Sequence, residues 1–265
     1  MLKCLRREDT FWEIFHYLEN TIFCEIIGGR EAQPHSRPYM AYLERQSGNV
    51  TKMCGGFLVS ENFVLTAAHC DEDIITVRLG THNLRNREHN EQWIHVRPSI
   101  PHPQYDKVTL KNDIILLQLA RQARLSDQVQ LIPLPCYGDK VKPGSVCSVA
   151  GWGLTSVIPG KASNVLMEVD LEVMEDRVCS RRFPNKYKPG TMLCAGDQRG
   201  RKSSFKGDSG GPLVCGTVAQ GIVSFGPKDA SPPEVYTRVS QFIPWIKATM
   251  GHLRALDPKQ YCNKK

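Results

Sequence analysis

The sequence predicts an all-β protein made of two barrels of similar size, closed at its C-terminal end by one helix. Three observations predict it. From Ile26 onward the chain reads as many short runs rich in Val, Ile and Leu, bounded by Gly, Pro, Asn or Asp. Long patterns of 3.6-residue period are nearly absent. The roughly 240 residues beyond position 25 suit two closed all-β units better than one.

The runs follow in order along the chain. "GGFLVS" (55–60), "NFVLTAA" (62–68), "ITVRLG" (75–80) and "DIILLQL" (113–119) make the first half. A charged, Pro-containing stretch, Gln122–Leu134, then marks the change of barrel, so barrel one is expected at about 26–130 and barrel two at about 131–240. "SVCSVAGWG" (145–153), "GPLVC" (211–215), "AQGIVSF" (219–225) and "EVYTRV" (234–239) make the second half. The helix is expected at 240–250, within "VSQFIPWIKATM". Ser240 is its N-cap, Pro244 sits in the tolerant first turn, and Phe242, Ile243, Trp245, Ile246 and Met250 form an apolar face. Residues 251–265 read as a polar, basic tail.

Composition narrows the class. At 265 residues, with 41% apolar and 23% charged residues, the chain can bury a substantial core. No run of about 18 apolar residues exists, so no membrane span is expected. The net charge of +7 favours acidic partners such as sulfated polysaccharide, and also serves solubility; it selects no specific nucleic acid. Ten cysteines with no Cys-x2-Cys pair point to disulfides in an oxidising compartment rather than to zinc. Asn49-Val50-Thr51 is a glycosylation acceptor in a polar stretch, as on a secreted surface loop. Residues 1–25 are an atypical leader: Glu8, Asp9, Glu13 and Glu19 interrupt any apolar run, and no signal peptide is recognisable.

Three short stretches carry chemistry. "LTAAHC" sets His69 beside Cys70, "KNDIILLQL" sets Asp113 at the head of an apolar run, and "FKGDSGGPLVC" sets Ser209 among glycines. Alone, each has a plain structural use: a histidine beside a disulfide, a turn before a strand, a polar loop. Together, in the order His, Asp, Ser, they are one of the known orders for an activated serine, which needs a base and a group to orient that base.

Residues 26–250 resemble a chymotrypsin-like serine protease. "IIGG", "CGGFLVSENFVLTAAHC", "NDIILLQL", "VAGWG" and "FKGDSGGPLVC" carry the resemblance over the whole segment. "VAQGIVSFG" and "PPEVYTRVS" are similar to the leukocyte-granule branch, with cathepsin G and mast-cell chymase nearest and granzymes alongside. The resemblance implies two six-stranded antiparallel β-barrels and a secreted or granule-stored endopeptidase acting on protein and peptide substrates through an acyl-enzyme. It needs no cofactor and no metal; Thr81–Glu91 is not acid-rich enough to read as a calcium loop.

Residue by residue, the resemblance makes Ser209 the nucleophile, His69 the base, Asp113 its orienting carboxylate, and the Gly207 and Ser209 N–H groups the oxyanion donors. It implies that cleavage before Ile26 frees an amine that pairs with Asp208. Cys24-Glu25 matches the granule propeptide removed by a dipeptidyl peptidase in length and in its Glu, although Cys24 departs from the small residue expected there. Serpin-type inhibitors are further implied partners. Implied disulfides are Cys54–Cys70, Cys147–Cys215 and Cys179–Cys194, leaving Cys4, Cys24, Cys136 and Cys262. A Cys24–Cys136 bridge is one open pairing, similar to the propeptide tether of digestive enzymes that the granule branch lacks.

The pocket sets the substrate. The resemblance implies that Ser203 falls at its floor, where trypsin-like enzymes have Asp, and that Gly226 leaves its wall open, so aromatic and large apolar residues are expected before the cut bond. Glu234 is the distinguishing residue, matched by a Glu in cathepsin G: low in the pocket it can pair with a lysine ammonium, which would add Lys and Arg to Phe, Tyr and Leu; if it turns aside, the enzyme is purely chymotryptic. Ser224-Phe225-Gly226 pairs with substrate backbone. Lys206 favours acidic residues after the bond. The rival reading is a catalytically inactive homologue acting as a heparin-binding or antimicrobial protein, and the intact His69, Asp113 and Ser209 argue against it.

Overall fold

The computed structural model describes residues 28–154, 162–197, 203, 204 and 207–253. Six strands close the first barrel in the order β2-β3-β4-β7-β6-β5: β2 (Met40–Ser47), β3 (Val50–Ser60), β4 (Phe63–Thr66), β5 (Ile74–Leu79), β6 (Gln92–Pro101) and β7 (Ile115–Leu119). The second barrel runs β9-β10-β13-β12-β11-β8, and β8 closes on β9: β8 (Val146–Gly151), β9 (Met167–Val173), β10 (Met192–Gly196), β11 (Pro212–Cys215), β12 (Val218–Phe225) and β13 (Glu234–Arg238). All pairings are antiparallel, and the short β1 (Arg30–Glu31) adds to β9 outside the second barrel.

The sequence sets which faces are buried. β9, "MEVDLEV", keeps Met167, Val169, Leu171 and Val173 inside while Asp170 and Glu172 are more open, the period-2 signature of a strand with one wet face. β4 ("FVLT") and β13 ("EVYTR") are buried on both faces. The largest core runs from inside the first barrel (Leu43, Phe57, Leu65, Leu116) out to Val214, Ile222, Phe242 and Ile246. The C-terminal helix and one wall of the second barrel therefore share a core with the first.

Two helices complete the described chain: α1 (Asp176–Arg182) and α2 (Ile243–Leu253). Sequence reading passes over α1, whose seven residues carry no apolar stripe. It also places the start of α2 too early. Val239–Gln241 is a 3-10 turn, and the Ser240 hydroxyl donates to Asp139 O at 2.7 Å instead of capping the helix, which begins three residues later. Pro244 does sit in the first turn, where its missing N–H is harmless.

The barrels are joined by specific bonds. The Trp152 indole, 1% exposed, donates to His82 O at 3.1 Å across the junction. Beside it, Leu166 N donates to the same carbonyl at 3.0 Å and Leu84 N to Asn164 O at 2.7 Å. The disulfides Cys54–Cys70, Cys147–Cys215 and Cys179–Cys194 are present. Cys136 is also disulfide-bonded. The open pairing Cys24–Cys136 involves a residue outside the described ones, as do Cys4 and Cys262.

Candidate active site

The site forms where the barrels meet. His69 sits in a 3-10 turn, Ala68–Cys70, just after β4, and the Cys54–Cys70 disulfide ties that turn to β3. Asp113, fully buried, precedes β7. Its Oδ1 accepts the His69 backbone N–H at 2.9 Å, and its Oδ2 lies 2.7 Å from His69 Nδ1. The Ser224 hydroxyl, from the second barrel, donates to the same Oδ2 at 2.6 Å, and the Thr237 hydroxyl donates to Asp113 O at 2.8 Å. With both carboxylate oxygens acting as acceptors, the Nδ1 of His69 carries the proton and Nε2 is left as the basic nitrogen.

Ser209 is brought to this pair through its backbone: Gly55 N, on β3, donates to Ser209 O at 2.8 Å. Next to it Gly210 takes φ +82°, and a Cβ there would strike the Thr66 hydroxyl, so only glycine lets β3 and the serine loop approach this closely. No hydrogen bond joins the Ser209 hydroxyl to the His69 ring among the described residues; such contacts are commonly loose in unliganded enzymes. The backbone N–H groups of Gly207 and Ser209 likewise have no acceptor among the described residues.

Behind the serine, Asp208 is fully buried, and its Oδ1 accepts Gly153 N–H at 2.9 Å. Ile26, its expected partner, lies outside the described residues, as does Lys206.

The pocket residues converge. Ser203, 1% exposed, donates its hydroxyl to Glu234 Oε1 and to Ser204 O, both at 2.8 Å. The Ser204 hydroxyl lies 3.3 Å from Tyr236 OH. Glu234, 5% exposed on β13, fills the space that any Cβ at Gly226 would take. Burial pushes the Glu234 carboxyl up to about 7; the Ser203 hydrogen bond pulls it down, and the charges of Asp208 and Asp229 add to the rise.

Ser224, Phe225 and Gly226 follow the point where β12 loses β11: pairing with β11 ends at Ile222, and Val223 bonds to Gly211 and Gly210. On its other side β12 pairs with β13 as far as Phe225↔Val235. The site-facing edge at 224–226 is therefore open to an added strand.

Sequence reading did not anticipate Ser224, Thr237 or Gly153 as supports of Asp113 and Asp208. Each reaches its partner from a remote stretch of chain, and no local pattern signals it. Asn49 is exposed in the two-residue turn between β2 and β3. Two features bear on metal binding. The Cys54 and Cys70 sulfurs lie close to His69 but are bonded to each other, which removes the thiolates a metal would need. In the 81–91 loop, Glu88 accepts from His82 N and Asn83 N and pairs with His35, while Glu91 pairs with Arg78, so internal donors occupy both carboxylates.

Comparison with known proteins agrees with this architecture. The family described as Trypsin matches residues 26–246, and the chain belongs to that family of serine proteases. Its relatives include cathepsin G, duodenase and granzymes. Human cathepsin G is 53% identical over 233 residues, 88% of this chain and 90% of that protein. Bovine duodenase-1 is 56% identical over 226 residues, 85% of this chain and 89% of its own. A solved structure described as "Structure of GrC" superposes with a TM-score of 0.82 at 48% identity, covering 86% of this chain and all of its own.

Proposed function

We propose that this protease cuts peptide bonds after aromatic and large apolar residues and, through Glu234, after lysine and arginine as well. The observation that supports the reading is the buried Ser203–Glu234 hydrogen bond, with the Glu234 carboxylate against Gly226, which offers a counter-charge beside the position where trypsin-like enzymes have Asp and this chain has Ser203. A substrate carbonyl is attacked by Ser209 Oγ, whose proton passes to His69 Nε2 and then to the leaving amine, while Asp113 holds the imidazole and stabilises its cation. Developing charge on the carbonyl oxygen is met by the N–H groups of Gly207 and Ser209, a contribution of roughly 3–4 kcal/mol per donor in comparable enzymes. Water then releases the acyl group by the reverse proton path.

Activation follows the same reading. Cleavage before Ile26 supplies an ammonium for the buried Asp208, and the pair orders the loop carrying Gly207 and Ser209. Removal of Cys24-Glu25 by a dipeptidyl peptidase fits the Glu, and storage in secretory granules fits the disulfides and the basic charge. Two observations favour a second, polyanion-binding role. Arg85, Arg87, Arg121 and Arg124 are exposed, and Arg121 Nη2 bonds to O of Trp93, whose ring lies over Arg78.

The test is a panel of fluorogenic peptides varied only at the residue before the bond, with a serine-reactive phosphonate to count active sites. Cleavage after Phe, Tyr and Leu together with Lys is expected. Cleavage after Phe with none after Lys or Arg would remove the role given to Glu234; no phosphonate labelling would favour the inactive, polyanion-binding homologue.

A further inference from the structure

The loop after α1 carries a fixed cation to the open edge of β12. Three anchors hold it. The Cys179–Cys194 disulfide ties α1 to β10. Tyr187 is buried, with its hydroxyl on Asp176. The Phe183 ring meets the Phe225 ring edge-on, with centroids 5.5 Å apart. Between the anchors Asn185 turns the backbone through φ +66°, a left-handed conformation asparagine tolerates. Lys186 is thereby aimed back over the site, its Nζ 3.9 Å from the Phe225 ring centroid. The side chain is half-buried and makes no ion pair with a carboxylate among the described residues. Burial lowers its pKa, and the field of Asp113 works the other way.

We propose that Lys186 is a specificity-determining residue that selects Asp or Glu at the second and fourth residues before the cut bond. The inference rests on the reading of Ser224–Gly226 as the strand that receives substrate. In such an antiparallel pair, side chains directly opposite share one face, and successive side chains alternate. With the residue before the cut bond opposite Ser224, the residue before that one faces Phe225, and so does the one two further back. A carboxylate there meets an ammonium already held in place and short of a partner. A lysine or arginine there is repelled, and a bulky apolar side chain has to push the ammonium off the ring.

The experiment uses tetrapeptide substrates with Phe before the cut bond and Glu, Gln or Lys at the second or fourth position. They are assayed on the activated full-length protein, on Lys186→Met and on Lys186→Glu, at low and high salt. Glu is expected to exceed Gln by about fivefold in kcat/KM, the upper range for a partly exposed ion pair. The preference should shrink with salt, vanish in Lys186→Met and invert in Lys186→Glu. Equal use of Glu and Gln at both positions, or a Glu preference that survives Lys186→Glu, overturns the proposal. The same ratio is read as peptide affinity on the Ser209→Ala protein, so absent turnover counts against the proteolytic reading while Lys186 is still judged by binding.

Discussion

Glu234 is a carboxyl whose protonation changes near neutrality, because it is buried among groups that resist its charge. On the proposed reading, the Glu234 carboxyl is neutral below about pH 7 and would suit an aromatic ring, and is anionic above it and would suit a lysine ammonium. The ratio of Lys to Phe cleavage should therefore rise between pH 6 and 8, and catalytic steps common to both substrates cancel from the ratio. Glu234→Gln should hold the ratio low and flat. Stability follows the same linkage. The folded carboxyl, at about 7 against an ordinary 4.5, keeps a proton that the unfolded chain gives up, so its contribution falls as pH rises through that window. Above pH 7 the penalty amounts to about 3 kcal/mol. Thermal melts of Glu234→Gln should show a gain over the parent at pH 8 and none at pH 4. An equal gain at both would mean that the carboxyl is not perturbed.

Among the elements, the turn bearing His69 depends on the disulfide from Cys70 to Cys54 on β3. Replacing both cysteines by alanine should cost about 3 kcal/mol in the loop-entropy account for a ring of this length, seen as a lower midpoint in urea. It should also lower kcat more than it raises KM, because the turn places the base and not the substrate. An unchanged kcat would show that the Asp113 hydrogen bonds hold His69 unaided. The strands were legible for a related reason. Runs such as "DIILLQL" are short, continuous and apolar, without the 3.6-residue spacing of a helix, and their Gly, Asn and Asp boundaries mark turns. The start of α2 was not legible: Ser240 has the chemistry of an N-cap, and only the nearby Asp139 carbonyl diverts its hydroxyl.

In the molecule as a whole, the site exists only after two barrels close on each other. His69 and Asp113 come from one barrel. The hydroxyls that hold Asp113, from Ser224 and Thr237, come from the other. The motifs bearing His69, Asp113 and Ser209 are visible in the sequence because each is a compact local pattern. The supports are not, since a serine in "VSF" or a threonine in "YTR" carries no mark of a partner more than a hundred residues away. The surface charge acts at this scale too. The exposed Arg85, Arg87, Arg121 and Arg124 should retain the protein on immobilised heparin in a salt-sensitive way. Replacing Arg85 and Arg87 by serine should bring elution to lower salt, and unaltered elution would place the contact elsewhere.

The close fit between Gly226 and Glu234 also restricts how this pocket can change over evolutionary time. Any Cβ at 226 needs the volume that the Glu234 carboxylate occupies, and the two residues lie on neighbouring segments of the same wall. A side chain at 226 can be accepted only if the Glu234 carboxylate swings out of its present place or shortens. A change at 226 is therefore coupled to the acid at 234, and the two positions are expected to vary together.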